Sequence, residues 1–148
     1  IKSVTKSNEK RRSLLILRVQ KLLSNKLKNK KIAFLGVTFK PNTDDMREST
    51  SPSMISFLVK RKAKINYYDP SGEKMELSKL NNVSYCNNLK DACKDVDLVI
   101  IHTEWEEFKA LDFNKLCKKN KFKIFDMRNL YSHEIMKQKG FRYYSIGR

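Results

Sequence analysis

Two basic residues occupy positions at which an anionic ligand could bind. Lys40 follows a short apolar run at residues 32–35, and Arg128 follows a second run at residues 122–126. If both runs are strands of one parallel sheet, both side chains lie near its carboxyl edge, where open α/β sheets bind ligands. Arginine holds a phosphate through its planar fork and lysine holds it as a point charge. The pair therefore predicts a phosphate or diphosphate ligand.

Each of these residues also has a structural alternative. Lys40 could be a solvated loop residue, since the chain contains 24 lysines. Arg128 could pair with Asp126 or with one of the acids of the loop that contains Lys40, which are Asp44, Asp45 and Glu48. Those acids could equally neutralise Arg47. The residues alone therefore do not decide whether Lys40 and Arg128 form a nucleotide or phosphate site or have structural roles.

The loop at residues 36–52 is too highly charged for a simple connection. It carries one lysine, one arginine and three acids between the first apolar run and a helix start. Ser51 is predicted to cap that helix, and Pro52 suits its first position. We therefore interpret residues 36–52 as a binding loop.

Strand and helix patterns alternate along the rest of the chain. Residues 8–28 are predicted to form a helix, because leucine and valine recur there at helical spacing. Strands are predicted at residues 31–36, 64–69, 83–86, 97–102, 122–126 and 142–146, with helices at 51–63, 73–80, 89–94, 113–120 and 133–140. This order predicts a Rossmann-like α/β fold, with a doubly wound, mostly parallel sheet preceded by one N-terminal helix.

The glycine-rich fingerprint of dinucleotide-binding folds is not found after the first predicted strand. Only Gly36 stands there, without the G-x-G-x-x-G spacing. Asp69 ends the second strand, where a ribose-binding acid would lie, but Pro70 follows and favours a turn residue. The sequence therefore argues against the usual mode of NAD binding in this domain.

The formal net charge of +16 raises the possibility of nucleic-acid binding. Residues 1–30 contribute ten Lys or Arg against one Glu, so more than half of the excess lies in the first fifth of the chain. Lysine outnumbers arginine 24 to 8, which is typical of a solvated surface. A basic nucleic-acid-binding module remains the alternative of another class, and the leading interpretation includes no nucleic-acid partner.

Cysteine and histidine give no sign of catalysis or metal binding. Cys86, Cys93 and Cys117 have no C-x-x-C spacing and no basic pattern around them, so we expect core or surface roles. His102 ends a buried strand and His133 begins a helix, so both are expected to be structural. No apolar run approaches the roughly 20 residues that span a membrane, and there is no signal peptide pattern. These features predict a cytoplasmic protein.

Several motifs resemble one enzyme family in the right order. They are F-K-P-N-T-D-D-M-R-E-S at 39–49, T-E-W-E-E-F-K at 103–109, D-M-R-N at 126–129 and Y-S-I-G-R at 144–148. Together they resemble the C-terminal UDP-binding domain of the UDP-glucose/GDP-mannose dehydrogenase family, and most of all its UDP-glucose 6-dehydrogenase branch. The GDP-mannose and UDP-N-acetylmannosamine branches are the alternatives within the family.

The resemblance implies an NAD-dependent, two-step oxidation of UDP-glucose to UDP-glucuronate through a thiohemiacetal and a thioester on a cysteine. It implies that Phe39, Lys40 and Arg128 contact the nucleotide sugar and that Arg47 reaches NAD. It also implies that residues 1–30 are the end of a central dimerisation helix and that residues 31–148 form the UDP-sugar-binding domain. A homodimer is implied for the full-length enzyme.

The family's NAD-binding domain and its catalytic motif, which resembles G-x-x-x-G-G-S-C-F-P-K-D, are absent from these 148 residues. No catalytic residue is therefore expected in this chain. We expect a substrate-binding portion that does not turn over alone.

Overall fold

The computed structural model describes the backbone of residues 2–147 and the side chains of residues 8–147. The strands are β1 Lys31–Leu35, β2 Lys64–Tyr68, β3 Val83–Tyr85, β4 Leu98–Ile101, β5 Lys123–Asp126 and β6 Arg142–Ser145. The α-helices are α1 Lys2–Leu22, α2 Ser51–Lys60, α3 Met75–Ser78, α4 Leu89–Ala92, α5 Phe113–Leu116 and α6 His133–Gln138. A 3₁₀ helix spans Glu106–Phe108.

The six strands form one sheet in the order β3-β2-β1-β4-β5-β6, and each neighbouring pair is parallel. The strand order reverses between β1 and β4, which makes this the topological switch point. The predicted α/β fold with a parallel sheet and a preceding helix is therefore confirmed.

The central strands are buried on both faces, because each carries apolar residues at consecutive positions. In β1, Ile32 and Phe34 join the core cluster that also contains residues of α1 and α2. Ala33 and Leu35 join the opposite cluster, which contains residues of the 3₁₀ helix, α5 and α6. Burying each large apolar side chain stabilises the fold by about 1.5–3 kcal/mol. Helices on both faces thus fix the sheet edge at which the loops converge.

The first helix differs from its prediction at both ends. It was predicted at residues 8–28 but spans Lys2–Leu22. The chain turns at Ser24 and Asn25, whose φ values are 56° and 59° and are incompatible with a right-handed helix. The side chain of Lys123 donates to the Leu22 carbonyl at 2.5 Å and satisfies one of the carbonyls left free at the helix end.

The N-terminus of α2 also differs from its prediction, in the residue at the N-cap position and in its hydrogen bonds. Ser51 was predicted to cap this helix, but it is the first helical residue, and Thr50 occupies the N-cap position without a capping hydrogen bond from its side chain. The Ser51 hydroxyl donates to the Val37 carbonyl at 2.6 Å, and the Thr50 hydroxyl contacts His102. Both hydroxyls have distant partners, so neither caps α2.

Three predicted helices are shorter than expected. Those predicted at residues 73–80, 89–94 and 113–120 each form one turn. Cys93 and Cys117, predicted inside helices, lie directly after α4 and α5 and are buried. None of the described helices is long and apolar enough to cross a membrane.

Candidate functional site

The loops after β1 and β4 approach each other closely at the switch point. Gly36 leaves β1 with φ +79°, a conformation that favours glycine. A Cβ atom at this position would lie 2.6 Å from the Cβ of Thr103 and 3.2 Å from the Phe108 ring. Glycine is therefore required here both for the backbone turn and for the contact between the two loops.

Asp69, directly after β2, fixes the backbone that leaves β1. Its buried carboxylate accepts from the amides of Val37 and Thr38 at 2.8 and 3.3 Å. The other oxygen accepts from the amide and the hydroxyl of Ser71 at 2.9 and 2.6 Å. Because both oxygens have protein partners, the contacts favour the turn role over the ribose-binding role.

Asp69→Asn is expected to lower the free energy of unfolding by roughly 1–3 kcal/mol. The amide nitrogen of asparagine would face an N–H or O–H donor on one side, and an unsatisfied buried group costs about 1–3 kcal/mol. Urea unfolding measures the loss, with Glu76→Gln on the exposed surface of α3 as a matched control. Equal stability of the two variants would show that the Asp69 contacts do not hold the loop.

Side-chain hydroxyls fold residues 37–51 back onto the sheet edge. Thr103 donates to the Thr38 carbonyl at 2.8 Å, and the Thr38 hydroxyl donates to the Lys40 carbonyl at 2.9 Å. The hydroxyls of Ser49 and Ser51 both donate to the Val37 carbonyl. The backbone of this loop is therefore anchored at its two ends.

The side chains of Phe39 and Lys40 remain exposed, and 46% of the Phe39 surface is accessible. Neither side chain takes part in an ion pair or ring contact within the described residues. Both are thus available to a ligand at the carboxyl edge of the sheet.

Arg128 joins the loops that follow β1, β4 and β5. Its Nε donates to the His102 carbonyl at 2.8 Å, and its Nη2 donates to the Phe39 carbonyl at 3.4 Å. Its backbone amide donates to Asp126, whose second oxygen accepts from Leu130, Tyr131 and Tyr143. The Arg128 guanidinium is therefore paired with carbonyls and not with Asp126. Arg128 thus contacts the loop that contains Phe39 and Lys40, and this loop and Arg128 lie at the carboxyl edge of the sheet.

Arg47 lies on the exposed part of the same loop and pairs with Asp45. Its Nε and Nη2 donate to the two Asp45 oxygens, each at 3.0 Å, and its side chain is 89% exposed. The hydrogen bond to Arg47 lowers the pKa of Asp45, and the same bond raises the pKa of Arg47. Asp45 is therefore the loop acid that neutralises Arg47, which was one of the structural alternatives for this loop.

His102 is a buried structural residue beside Arg128. Thr103 donates its one hydroxyl hydrogen to Thr38, so it accepts from His102 Nδ1 at 3.1 Å. His102 Nε2 is then the acceptor, and the Thr50 hydroxyl donates to it at 2.9 Å. Burial first, and then the Arg128 charge, lower the pKa of His102 from 6.5 to about 3. The imidazole is therefore neutral near pH 7.

His102 is expected to make the folded state less stable as the pH falls. Because the pKa of His102 is about 3 in the folded state and 6.5 ordinarily, only the unfolded chain takes up this proton between these values. The free energy of unfolding should then fall by roughly 2–3 kcal/mol between pH 7 and 4.5. Urea unfolding at several pH values tests this. His102→Gln should reduce the change of the free energy of unfolding with pH, and the control His133→Gln should retain it. Equal pH dependence in the two variants would show that His102 is not its cause.

The environments of Cys86 and Cys93 oppose thiolate formation. Burial raises the pKa of Cys86, and a hydrogen bond with Cys117 followed by burial raises that of Cys93. A nucleophilic cysteine needs the opposite shift. The surroundings of these thiols thus provide no activation of a nucleophile.

The sequence interpretation favoured a turn role for Asp69 and a structural role for His102, but it did not identify the contacts through which these residues and Thr103 hold the loops. An aspartate two residues before Ser71 is an available Asx-turn signal. The contacts of His102 and Thr103 have no comparable local signal, because their partners at positions 50 and 38 are more than 50 residues away in sequence.

These features agree with a comparison to known protein families. The UDP binding domain model of the UDP-glucose/GDP-mannose dehydrogenase family matches residues 33–133. This range begins in β1 and ends at the start of α6. The chain belongs to the UDP-glucose/GDP-mannose dehydrogenase family.

Relatives and solved structures of the UDP-glucose/GDP-mannose dehydrogenase family agree. UDP-glucose 6-dehydrogenase of Rickettsia felis is 40% identical over 99% of this chain and 34% of its own length. The solved UDP-glucose dehydrogenase of Pyrobaculum islandicum superposes with a TM-score of 0.76 at 27% identity, over 97% of this chain and 31% of that one. The solved UDP-N-acetyl-mannosamine dehydrogenase of Staphylococcus aureus superposes with a TM-score of 0.67 at 27% identity. The superposition covers 92% of this chain and 30% of that one. The chain thus spans about a third of the length of these relatives.

Proposed function

We propose that this chain is the substrate-binding portion of an NAD-dependent UDP-glucose 6-dehydrogenase and that residues 31–148 bind UDP-glucose. The observation that carries the proposal is the position of Arg128 at the switch point, bonded to the carbonyls of His102 and Phe39. Those two bonds orient the guanidinium and leave its other N–H groups for a ligand. The fork of an arginine suits the diphosphate of a nucleotide sugar.

Lys40 and Phe39 complete this site. The exposed Lys40 ammonium would neutralise a second phosphate charge beside Arg128. The half-exposed Phe39 ring offers an apolar face to the uracil or to the sugar. Because Asp69, Thr38 and Thr103 hold the loop backbone, the binding groups are positioned before the ligand arrives, which lowers the entropy lost on binding.

NAD is the implied cofactor, and only Arg47 of this chain is proposed to contact it. The Arg47 side chain is exposed and its pairing with Asp45 is a surface contact, which is weak enough for a cofactor phosphate to replace. Bound NAD would accept the hydride from the sugar. Since the dinucleotide fingerprint is not in this chain, we propose that another domain supplies the remaining contacts and the catalytic cysteine, and that this chain does not turn over alone.

Residues 1–30 are proposed to be the end of a dimerisation helix. Leu14 and Leu17 of α1 are 57% and 51% exposed, while Val19 and Leu22 of the same helix are buried in this chain. A second copy of the chain covering these leucines would explain an apolar surface on both sides of one helix. Sedimentation over a range of concentrations measures this association.

Calorimetric titration with UDP-glucose, UDP, GDP, UDP-N-acetylmannosamine and duplex DNA at two salt concentrations tests the function. Saturable binding that prefers the uridine ligands is expected. Preference for GDP would favour the GDP-mannose branch instead. Tighter binding of UDP-N-acetylmannosamine than of UDP-glucose would favour the UDP-N-acetylmannosamine branch. Failure to bind any nucleotide would refute the substrate-site proposal for this chain, and DNA binding with a steep salt dependence would favour a nucleic-acid module.

A further inference from the structure

A second concave surface lies at the opposite edge of the sheet from Arg128. It is a cavity of about 650 Å³ at the amino ends of β5 and β6. Its walls come from the segment between α5 and β5 and from the turn between α6 and β6. We call this the basic pocket, defined by Asn114, Cys117–Phe122 and Lys139–Arg142. Its volume is within the usual range of small-ligand sites, about 300–1,000 Å³.

The basic pocket is lined by five cationic side chains and by no acidic residue. Lys119 pairs with Asp97 outside the lining at 2.7 Å. Within the described residues, the other four have no ion pair, and they are Lys118, Lys121, Lys139 and Arg142. Like charges gathered around one cavity repel each other, and a bound anion would remove this repulsion. The pocket is therefore matched to a ligand of high negative charge.

The basic pocket also has an apolar wall and two amide side chains. Phe122 and Phe141 both line it, with ring centroids 6.1 Å apart and planes inclined by 60°. Both rings are half-buried, so part of each contacts the core and part faces outward. Asn114 and Asn120 add hydrogen-bonding groups to the cations. Cations beside an aromatic wall suit a phosphorylated molecule with an apolar part better than a lone inorganic ion.

We propose that the basic pocket is a second binding site, for a small molecule that carries three linked phosphates. The phosphates lie among the unpaired lysines and Arg142, and any ring of the ligand packs on Phe122 and Phe141. The site is separate from the proposed UDP-sugar site, because β5 lies between them and spans about 13 Å. Binding here is expected to be independent of Arg128.

Titration of the chain with inorganic tripolyphosphate and with ATP at low salt tests the proposal. Each ligand is expected to bind saturably with one site per chain and to raise the thermal midpoint of unfolding. Tighter binding of ATP than of tripolyphosphate would indicate that the aromatic wall contacts the base. Equal affinity would assign the site to the phosphate chain alone.

Lys118→Glu/Lys139→Glu is expected to weaken tripolyphosphate binding by at least roughly tenfold, because two charge-assisted contacts become repulsive. Lys60→Glu/Lys79→Glu is the matched control, since it changes the net charge equally at exposed positions outside the basic pocket. It should bind like the unmodified chain. Equal losses in the two variants, or absence of saturable binding to the unmodified chain, would overturn the proposal.

Two further measurements separate this proposal from the proposed UDP-sugar site. Tripolyphosphate binding should persist in Arg128→Ala, and UDP binding should persist in Lys118→Glu/Lys139→Glu. Loss of tripolyphosphate binding in Arg128→Ala would place the polyphosphate in the UDP-sugar site and overturn the second site. Failure of UDP binding alone would refute the substrate proposal and leave the basic pocket standing.

Discussion

Arg128→Ala is expected to weaken UDP binding by roughly 10- to 100-fold, because hydrogen bonds to a charged group contribute about 1.5–3 kcal/mol. The substitution removes the proposed diphosphate contact and two loop contacts at once, to the carbonyls of His102 and Phe39. Phe39 should then be held less firmly, which adds to the loss. Calorimetry measures the affinity, and circular dichroism should show an unchanged fold.

Arg128→Lys separates the two roles of the residue. Lysine retains the charge but cannot contact both carbonyls and a phosphate in the planar arrangement of arginine. We expect its UDP affinity to lie between those of the alanine variant and the unmodified chain. Arg142→Ala, at the opposite edge of the sheet, is the control and should bind UDP normally. Undiminished UDP affinity in Arg128→Ala would remove Arg128 from the site.

Gly36→Ala is expected to lower the free energy of unfolding by roughly 2–5 kcal/mol. The left-handed backbone costs a residue with a Cβ about 1–2 kcal/mol, and forced overpacking typically costs about 1–3 kcal/mol. The overpacking arises because the new Cβ would lie 2.6 Å from Thr103 Cβ and 2.8 Å from its Oγ1. Urea unfolding with both the midpoint and the slope determined measures this loss.

Gly140→Ala is the matched control for the steric part of that loss. Its φ of +86° is close to the +79° of Gly36, but no atom lies within 4 Å of the added Cβ. The control should therefore lose only the conformational part, about 1–2 kcal/mol. Equal destabilisation by the two substitutions would mean that the close approach of Gly36 to Thr103 has no energetic consequence.

The Gly36 substitution should also reduce UDP binding. Displacing Thr103 would weaken its hydrogen bond to the Thr38 carbonyl, and Thr38 in turn holds the Lys40 carbonyl. The stability of the loop and the position of the proposed ligand groups thus depend on the same contacts. Gly140→Ala, which disturbs none of them, should bind UDP with unchanged affinity.

The sequence by itself determined the order of the elements and the sheet edge at which Lys40 and Arg128 lie. A continuous apolar run such as β4 is a local pattern, and it predicts a strand buried on both faces. The positions of Lys40 and Arg128 just after strands followed from the same local patterns. Because these signals lie within a few neighbouring residues, they could be read without knowing the tertiary contacts.

Only the tertiary structure decided the partners of the polar side chains and several helix ends. Asp69 could have been a ribose ligand or a turn residue until its contacts with Val37 and Thr38 were known. Arg128 could have paired with an acid, but carbonyls 26 and 89 residues away are its partners. Ser51 does not cap α2, because its hydroxyl donates a hydrogen bond to the carbonyl of Val37. Such choices depend on which distant donors and acceptors the folded sheet brings within hydrogen-bonding distance, and local sequence does not encode them.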